Sequence, residues 1–140
     1  MLIREFISET NKNQMISILL KHYKVGSVKV KQKSMKDHAH FDVDRGTLEL
    51  STRYKTIKNR QLKEFLITII HEIRHAMDAK KYGWKKFKEM YELEIAQFQA
   101  DNPNKADDWY DYISFEKEAE EFGQKNWKKW YNRFKKEGLI

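Results

Sequence analysis

The chain has 140 residues, contains no cysteine and carries a formal net charge of +7. This length suits a single domain, residues 1–140, because two separate units would each have too small a core. The absence of cysteine excludes disulfides and thiolate metal ligands, and no stretch has the roughly 18 apolar residues that cross a membrane.

The positive charge comes from lysines that gather in residues 21–36, 80–88 and 125–136. A concentrated basic surface attracts nucleic acid. In this sequence the lysines stand beside acidic residues, and no nucleic-acid-binding motif accompanies them. We therefore expect at most a weak association with DNA or RNA.

The first quarter of the chain predicts a helix followed by a strand. Residues 10–23 carry apolar side chains at helical spacing behind Thr10 or Asn11 as a cap, and Gly26 ends the pattern. Residues 27–32 alternate apolar and polar side chains, as a half-buried strand does.

Residues 40–51 predict a β-hairpin whose turn contains Gly46, the residue that supplies a positive φ. His38 and His40 are two residues apart, so on a strand they share one face. An exposed pair near the start of a strand is a more frequent arrangement than a metal site. We therefore expect no metal there.

The strongest helical pattern lies at residues 62–83, with Asn59 as the predicted N-cap and Gly83 as the predicted C-cap. Apolar side chains recur along it at intervals of three and four residues: Leu62, Phe65, Leu66, Ile69, Ile70, Ile73 and Met77. The middle of this helix reads His71-Glu72-Ile73-Arg74-His75, which is an HExxH motif.

Two histidines four residues apart lie one turn from each other, so both imidazoles reach a single tetrahedral metal ion. Glu72, beside the first histidine, is well placed to take a proton from metal-bound water. The motif therefore predicts His71 and His75 as metal ligands and Glu72 as a general base. The histidines lie opposite the apolar stripe, so another element must cover them and supply the remaining ligand.

Two more helices follow Gly83. Residues 84–98 carry an apolar stripe that we assign to the core rather than to a binding groove: Trp84, Phe87, Tyr91, Ile95 and Phe98. Residues 101–112 predict a surface connection. The last helix is predicted to start at Ser114, as its N-cap, and to run to Gly138.

The last helix presents Glu116 and Glu120 on one face with Ala119 and Gly123, whose small size allows a neighbouring helix to approach closely. A carboxylate buried there needs a cation. We predict Glu116 as the third metal ligand and Glu120 as the acceptor that orients a ligand histidine, with the reverse assignment open. Interaction of these acids with the helix dipole is the alternative explanation of the cluster.

The order of hairpin, HExxH helix and glutamate helix, roughly residues 38–124, resembles the gluzincin type of zincin metallopeptidases, which includes thermolysin-like and ImmA/IrrE-like proteins. Their third ligand opens an E-x-x-[AS]-[DN] pattern, and residues 116–120 read EKEAE, with Glu120 in place of Asp or Asn. The resemblance implies a zinc ion and an edge strand at residues 47–52 that aligns an extended peptide. It also implies a side chain that stabilises the oxyanion, for which Tyr54, Tyr110 and Tyr112 are candidates.

We therefore expect an α+β fold in which a small, partly antiparallel sheet packs against the HExxH helix and a C-terminal helix carries the third ligand. The leading hypothesis is a zinc-dependent metallopeptidase that hydrolyses protein or peptide substrates. One alternative is a zinc-stabilised regulatory or interaction module without catalysis. Another is a SprT-like protease that acts on nucleic-acid-associated proteins. We expect a monomeric cytoplasmic protein of bacterial or phage origin.

Overall fold

The computed structural model describes residues 6–26 and 28–140. These residues form an α+β fold, as predicted. The elements in chain order are β1 (Phe6–Ile7), α1 (Glu9–His22), β2 (Lys29–Lys33), β3 (Ala39–Asp42), β4 (Thr47–Ser51), β5 (Ile57–Lys58), α2 (Leu62–Tyr82), α3 (Trp84–Asp101) and α4 (Ser114–Lys136). A 3-10 segment, Pro103–Asp111, connects α3 to α4. Within the described residues, no helix is both long and apolar enough to span a bilayer.

The larger sheet has three strands in the order β2-β4-β3. β3 pairs with β4 in antiparallel orientation, with Phe41 opposite Leu48, so the predicted hairpin is confirmed. β2 lies on the other side of β4 and is parallel to it. The prediction that residues 47–52 form an edge strand is therefore wrong, because β4 is the central strand. β3 is the other outer strand, and it contacts α2. A separate two-stranded sheet joins β1 to β5.

β2 differs from the half-buried strand predicted at residues 27–32. Residue 27 lies outside the described part of the chain, and every residue of β2 is exposed, including Val30 at 39%. The strand lies at the edge of the sheet, away from the core. Lysines on an edge strand hinder its pairing with a second sheet. The lysines of β2 therefore suit a strand that is exposed at the edge.

α2 is the central element of the hydrophobic core. Its apolar face is almost completely inaccessible to solvent, with Phe65, Leu66, Ile69 and Ile70 all at 0% exposure. The helix starts at Leu62 after a 3-10 turn, Asn59–Gln61, and its N-cap is Gln61, so the predicted cap at Asn59 lies two residues too early. Gly83 ends the helix with φ +82°, as predicted. α3 begins at the next residue, and this single glycine therefore forms the whole connection.

The apolar stripe of α3 is only partly buried. Among its members only Phe87 is fully buried, whereas Trp84 is 54% exposed. Tyr91 and Ile95 are half-buried and face a cleft beside α2. The assignment of this stripe to the core is therefore wrong for most of its length. The pattern predicted an amphipathic helix correctly, but apolar periodicity does not distinguish a core from the wall of a cleft.

α4 packs along α2 and approaches it closely at Gly123. A Cβ atom added to Gly123 would lie 2.8 Å from the backbone carbonyl oxygen of Ile67, and Ala119, one turn earlier, is fully buried. The predicted close approach at these two small residues is confirmed. Ser114 is not the cap of the helix, which is Ile113. Instead, the carboxylate of Glu94 on α3 accepts hydrogen bonds from the N–H (2.9 Å) and the hydroxyl of Ser114.

The Gly123→Ala variant tests this helix crossing. Replacing glycine by alanine within a helix usually increases stability by about 0.5–1 kcal/mol. At position 123 we expect the free energy of unfolding to fall by about 1–3 kcal/mol instead, because the new methyl group overlaps a backbone oxygen that cannot move alone. Urea denaturation monitored by circular dichroism measures this change. Lys125→Ala, at an exposed position on the same helix, should change stability by at most about 0.5 kcal/mol, and an equal effect of both variants would contradict the close crossing.

Candidate metal centre

The histidines of the HExxH motif lie on the floor of a cleft of about 1040 Å³. α2 forms the floor of the cleft, and residues 36–44, which include β3, form one wall. α3, the 3-10 segment and the first turns of α4 form the opposite side. Cavities of this size accommodate small ligands or several side chains of a bound chain. The cleft therefore gives a ligand access to the motif.

His71, His75 and Glu116 meet at the bottom of this cleft. The Nε2 atoms of His71 and His75 each lie 2.9 Å from the same oxygen, Oε1 of Glu116. All three side chains are buried, with exposed fractions between 5% and 7%. The structure therefore brings together two imidazoles from α2 and one carboxylate from α4, the three residues singled out as ligands from the sequence.

Glu120 occupies a different position from Glu116. Its Oε2 atom lies 3.2 Å from Nδ1 of His71, on the side of the ring that faces away from His75. Gln124 donates a hydrogen bond to the other oxygen of Glu120 at 3.0 Å. Glu116 thus contacts the Nε2 atoms of both histidines, whereas Glu120 contacts one histidine from outside.

We call the meeting point of His71, His75 and Glu116 the centre. The contacts of His71 require positive charge there. A neutral imidazole has one N–H group, yet carboxylate oxygens face both nitrogens of His71. Either a second proton on the ring or a cation between Nε2 and Glu116 removes the repulsion. Burial by itself lowers the pKa of His71, but the carboxylates of Glu116, Glu72 and Glu120 outweigh it, and the net direction is upward.

The carboxylate of Glu116 is ionised for the same reason. Burial favours its neutral form, but the hydrogen bonds from His71 and His75 outweigh burial and hold its pKa well below the usual range. A buried carboxylate of this kind is stable only while a cationic partner remains beside it. The centre is therefore built to hold positive charge.

Glu72 is buried but has no polar partner within the described residues. Its side chain is 7% exposed and lines the cleft, and it takes part in no hydrogen bond or ion pair there. Burial raises its pKa. The ligand atoms of His71, Glu72 and His75 lie within 4.8 Å of one another. The carboxylate is thus free to interact with a water molecule or an ion at the centre.

Tyr91 is a residue of this site that sequence reasoning missed. Its hydroxyl donates a hydrogen bond to Oε2 of Glu116, the oxygen that faces away from the histidines. Burial, and next the charge of Glu116, raise the pKa of Tyr91 well above its usual range, so the hydroxyl keeps its proton. The sequence did contain a signal for this role, namely a tyrosine within an otherwise apolar stripe. A half-buried hydroxyl requires a hydrogen-bond partner.

The three tyrosines predicted as candidates for oxyanion stabilisation differ in position. The hydroxyl of Tyr110 lies 3.4 Å from Nε2 of His71 and lines the cleft. Tyr112 stacks on Phe98, with ring centroids 4.9 Å apart, and does not line the cleft. Tyr54 is fully buried and donates its hydrogen bond to Glu64 at 2.5 Å. Only Tyr110 therefore has its hydroxyl at the centre.

His38 and His40 remain outside the centre. The ring nitrogens of His38 contact Tyr54 at 2.8 Å and Arg53 at 2.7 Å, so protein groups already occupy both. His40 is exposed on β3 and lines the cleft. His38 is half-buried and His40 is exposed, and the expectation that this pair binds no metal stays a prediction.

The donor set fits zinc. Four-coordinate zinc sites have ligand atoms about 2.0–2.2 Å from the ion, which corresponds to about 3.3 Å between neighbouring ligand atoms. The two nitrogen–oxygen separations of 2.9 Å in the centre are close to this value. A small outward shift of Glu116 would make room for an ion. Two imidazoles and one carboxylate would provide the three protein ligands that catalytic zinc sites use.

Comparisons of the chain with protein-family models, with curated proteins and with solved structures find no match. The functional assignment therefore depends on the sequence motif and on the geometry of the cleft.

The Tyr91→Phe variant tests the hydrogen bond to Glu116. Loss of the hydroxyl removes a donor from a buried, ionised carboxylate, so we expect the free energy of unfolding to fall by about 1.5–3 kcal/mol. Tyr112→Phe is the matched control, because Tyr112 is 51% exposed and lies away from the centre, and it should leave stability unchanged within about 0.5 kcal/mol. Urea denaturation of both variants provides the comparison. Equal stabilities of Tyr91→Phe and the wild-type protein would show that Glu116 does not depend on Tyr91.

Proposed function

We propose that the protein is a zinc-dependent metallopeptidase in which His71, His75 and Glu116 hold the ion and Glu72 acts as general base. The observation that carries this proposal is the convergence of both HExxH histidines on one carboxylate from a separate helix, at 2.9 Å each, beneath an open cleft. A purely structural pairing of helices has no need for an accessible cleft at this position.

Zinc supplies two effects in such a site, since it lowers the pKa of a bound water molecule and polarises a carbonyl group. The remaining steps belong to the protein. Glu72 accepts a proton from the attacking water and then passes it to the amine that leaves. Its buried position, which raises its pKa, makes it a better proton acceptor than an exposed carboxylate.

Tyr110 is the side chain best placed to stabilise an oxyanion. Its hydroxyl is 3.4 Å from Nε2 of His71 and points into the same cleft. Burial, and next the charge of Glu116, raise its pKa well above the usual range, so it remains a hydrogen-bond donor at neutral pH. A neutral donor of this kind stabilises the negative charge that develops on a peptide carbonyl oxygen.

β3 takes the role that the sequence had suggested for residues 47–52. Its main chain pairs with β4 on one side only, and residues 36–44 line the cleft. An extended peptide can add to such an edge through main-chain hydrogen bonds. This arrangement would bring a peptide bond past the metal centre without a requirement for particular side chains.

One observation favours the alternative of a zinc-stabilised module without catalysis. Glu72 lies close enough to both histidines to serve as a fourth protein ligand. Four protein ligands are the rule in structural zinc sites, which are closed to water. Glu72 would be a general base in a peptidase and a zinc ligand in a structural module, so its role distinguishes the two functions.

The Glu72→Gln variant distinguishes these roles. For a peptidase we expect it to retain zinc, because the three ligands remain, and to cleave an unfolded test protein such as casein at least about 100-fold more slowly, because the base is lost. Glu121→Gln, at an exposed position on α4, should cleave at the wild-type rate. Zinc content and cleavage are measured on the same preparations. Full activity of Glu72→Gln would refute the general-base role, and loss of its zinc would indicate the closed structural site.

A further inference from the structure

The charge of the cleft is opposite to the charge of the whole chain. Eight carboxylates and three lysines line the cleft, so with neutral histidines it carries five negative charges in excess. The chain as a whole carries +7. The residues outside the cleft therefore carry twelve positive charges in excess. A zinc ion at the centre would reduce the excess in the cleft to three negative charges and would not reverse its sign.

The carboxylates lie on both sides of the metal centre along β3. At the start of the strand, Asp37 precedes His38, whose Nδ1 is 3.0 Å from Glu64, two turns before His71 on α2. Beyond the end of the strand, Asp44 lies 3.0 Å from Lys88 on α3. Glu92, one turn further along α3, also lines the cleft. A chain bound along β3 would pass acidic groups both before and after the centre.

Several of these carboxylates have no cationic partner among the described residues. Asp37 and Glu92 are exposed and take part in none of the ion pairs there, and Glu72 is buried without a polar partner. Asp44 and Asp42 do have such partners, because Lys88 lies 3.0 Å from Asp44 and Arg45 lies 3.9 Å from Asp42. The negative potential of the cleft is therefore not cancelled locally, and low-dielectric walls concentrate such a potential within a cleft.

We propose that the cleft selects basic segments of polypeptide, with lysine or arginine side chains on both sides of the bond at the metal centre. The inference rests on the proposed function only in that it takes a polypeptide as the ligand. Basic side chains meet carboxylates at both ends of β3, whereas acidic side chains meet the same carboxylates and are repelled. If the net positive charge of the whole protein determined binding, acidic peptides would bind more tightly. If the carboxylates of the cleft determine binding, basic peptides bind more tightly, so the two explanations predict opposite results.

Fluorescence anisotropy of three labelled peptides of twelve residues tests the proposal. Their sequences alternate alanine with lysine, with glutamine or with glutamate. The wild-type protein, loaded with zinc, is titrated at low salt and at 0.5 M NaCl, with an inhibitory chelator in a parallel series to prevent cleavage. We expect the lysine peptide to bind at least about tenfold more tightly than the glutamate peptide, and this difference to shrink at high salt.

Paired variants with equal changes in net charge locate the effect. Asp37→Asn/Glu92→Gln removes two charges from the cleft, and Asp107→Asn/Glu121→Gln removes two exposed charges that do not line it. We expect the cleft pair to weaken binding of the lysine peptide by about threefold and the control pair to leave it unchanged. Tighter binding of the glutamate peptide, or equal effects of the two pairs, would overturn the proposal.

The two proposals fail in distinguishable ways. A protein that binds zinc and cleaves peptides without preference for charge contradicts the selection of basic segments alone. A protein that binds no zinc but prefers the lysine peptide contradicts the peptidase assignment and supports the selection of basic segments by the cleft. Circular dichroism of each variant confirms that the fold is retained before binding is compared.

Discussion

The position of the candidate metal centre is determined by the close crossing of α2 and α4. Gly123 leaves no room for a side chain against the backbone of Ile67, and this contact lets α4 lie directly over the HExxH face of α2. As a result Glu116 is buried against both histidines at 2.9 Å. A carboxylate in that position is unfavourable without positive charge. Packing and electrostatics are thus coupled, because the approach of the helices buries the carboxylate of Glu116, and this carboxylate then requires positive charge beside it, from a protonated histidine or from a bound ion.

The sequence predicted the parts of this arrangement that depend on local pattern. The period of apolar residues located α2, and the spacing of Glu116, Ala119 and Gly123 placed a carboxylate on the packed face of α4. Gly83 was identified as a helix end because its positive φ is costly for other residues. Each of these features is determined by neighbours within one or two turns, so a single sequence contains enough information to predict it.

Several other features, which depend on distant partners, were not predicted. The edge of the sheet was placed at residues 47–52, but the pairing of β2 with β4 makes β4 central, and no local signal specifies that pairing. Ser114 has the composition of a cap, yet Glu94, twenty residues earlier, accepts its hydrogen bonds. Tyr91 was assigned to the core because it belongs to an apolar stripe with helical spacing. Only the position of α4 shows that its hydroxyl contacts Glu116. The proposed chemistry uses both kinds of feature, since the metal ligands come from local motifs and their support comes from tertiary contacts.

Metal content is the most direct test of the proposed centre. The wild-type protein, Glu116→Ala and Glu118→Ala are reconstituted with zinc, dialysed exhaustively and assayed by elemental analysis. Glu118 is a suitable control, because it lies on the same helix but is exposed and faces Arg74 at 3.6 Å instead of the histidines. We expect one zinc ion per chain for the wild-type protein and for Glu118→Ala, and little or none for Glu116→Ala. Absence of zinc from the wild-type protein, or full retention by Glu116→Ala, would contradict the proposed ligand set.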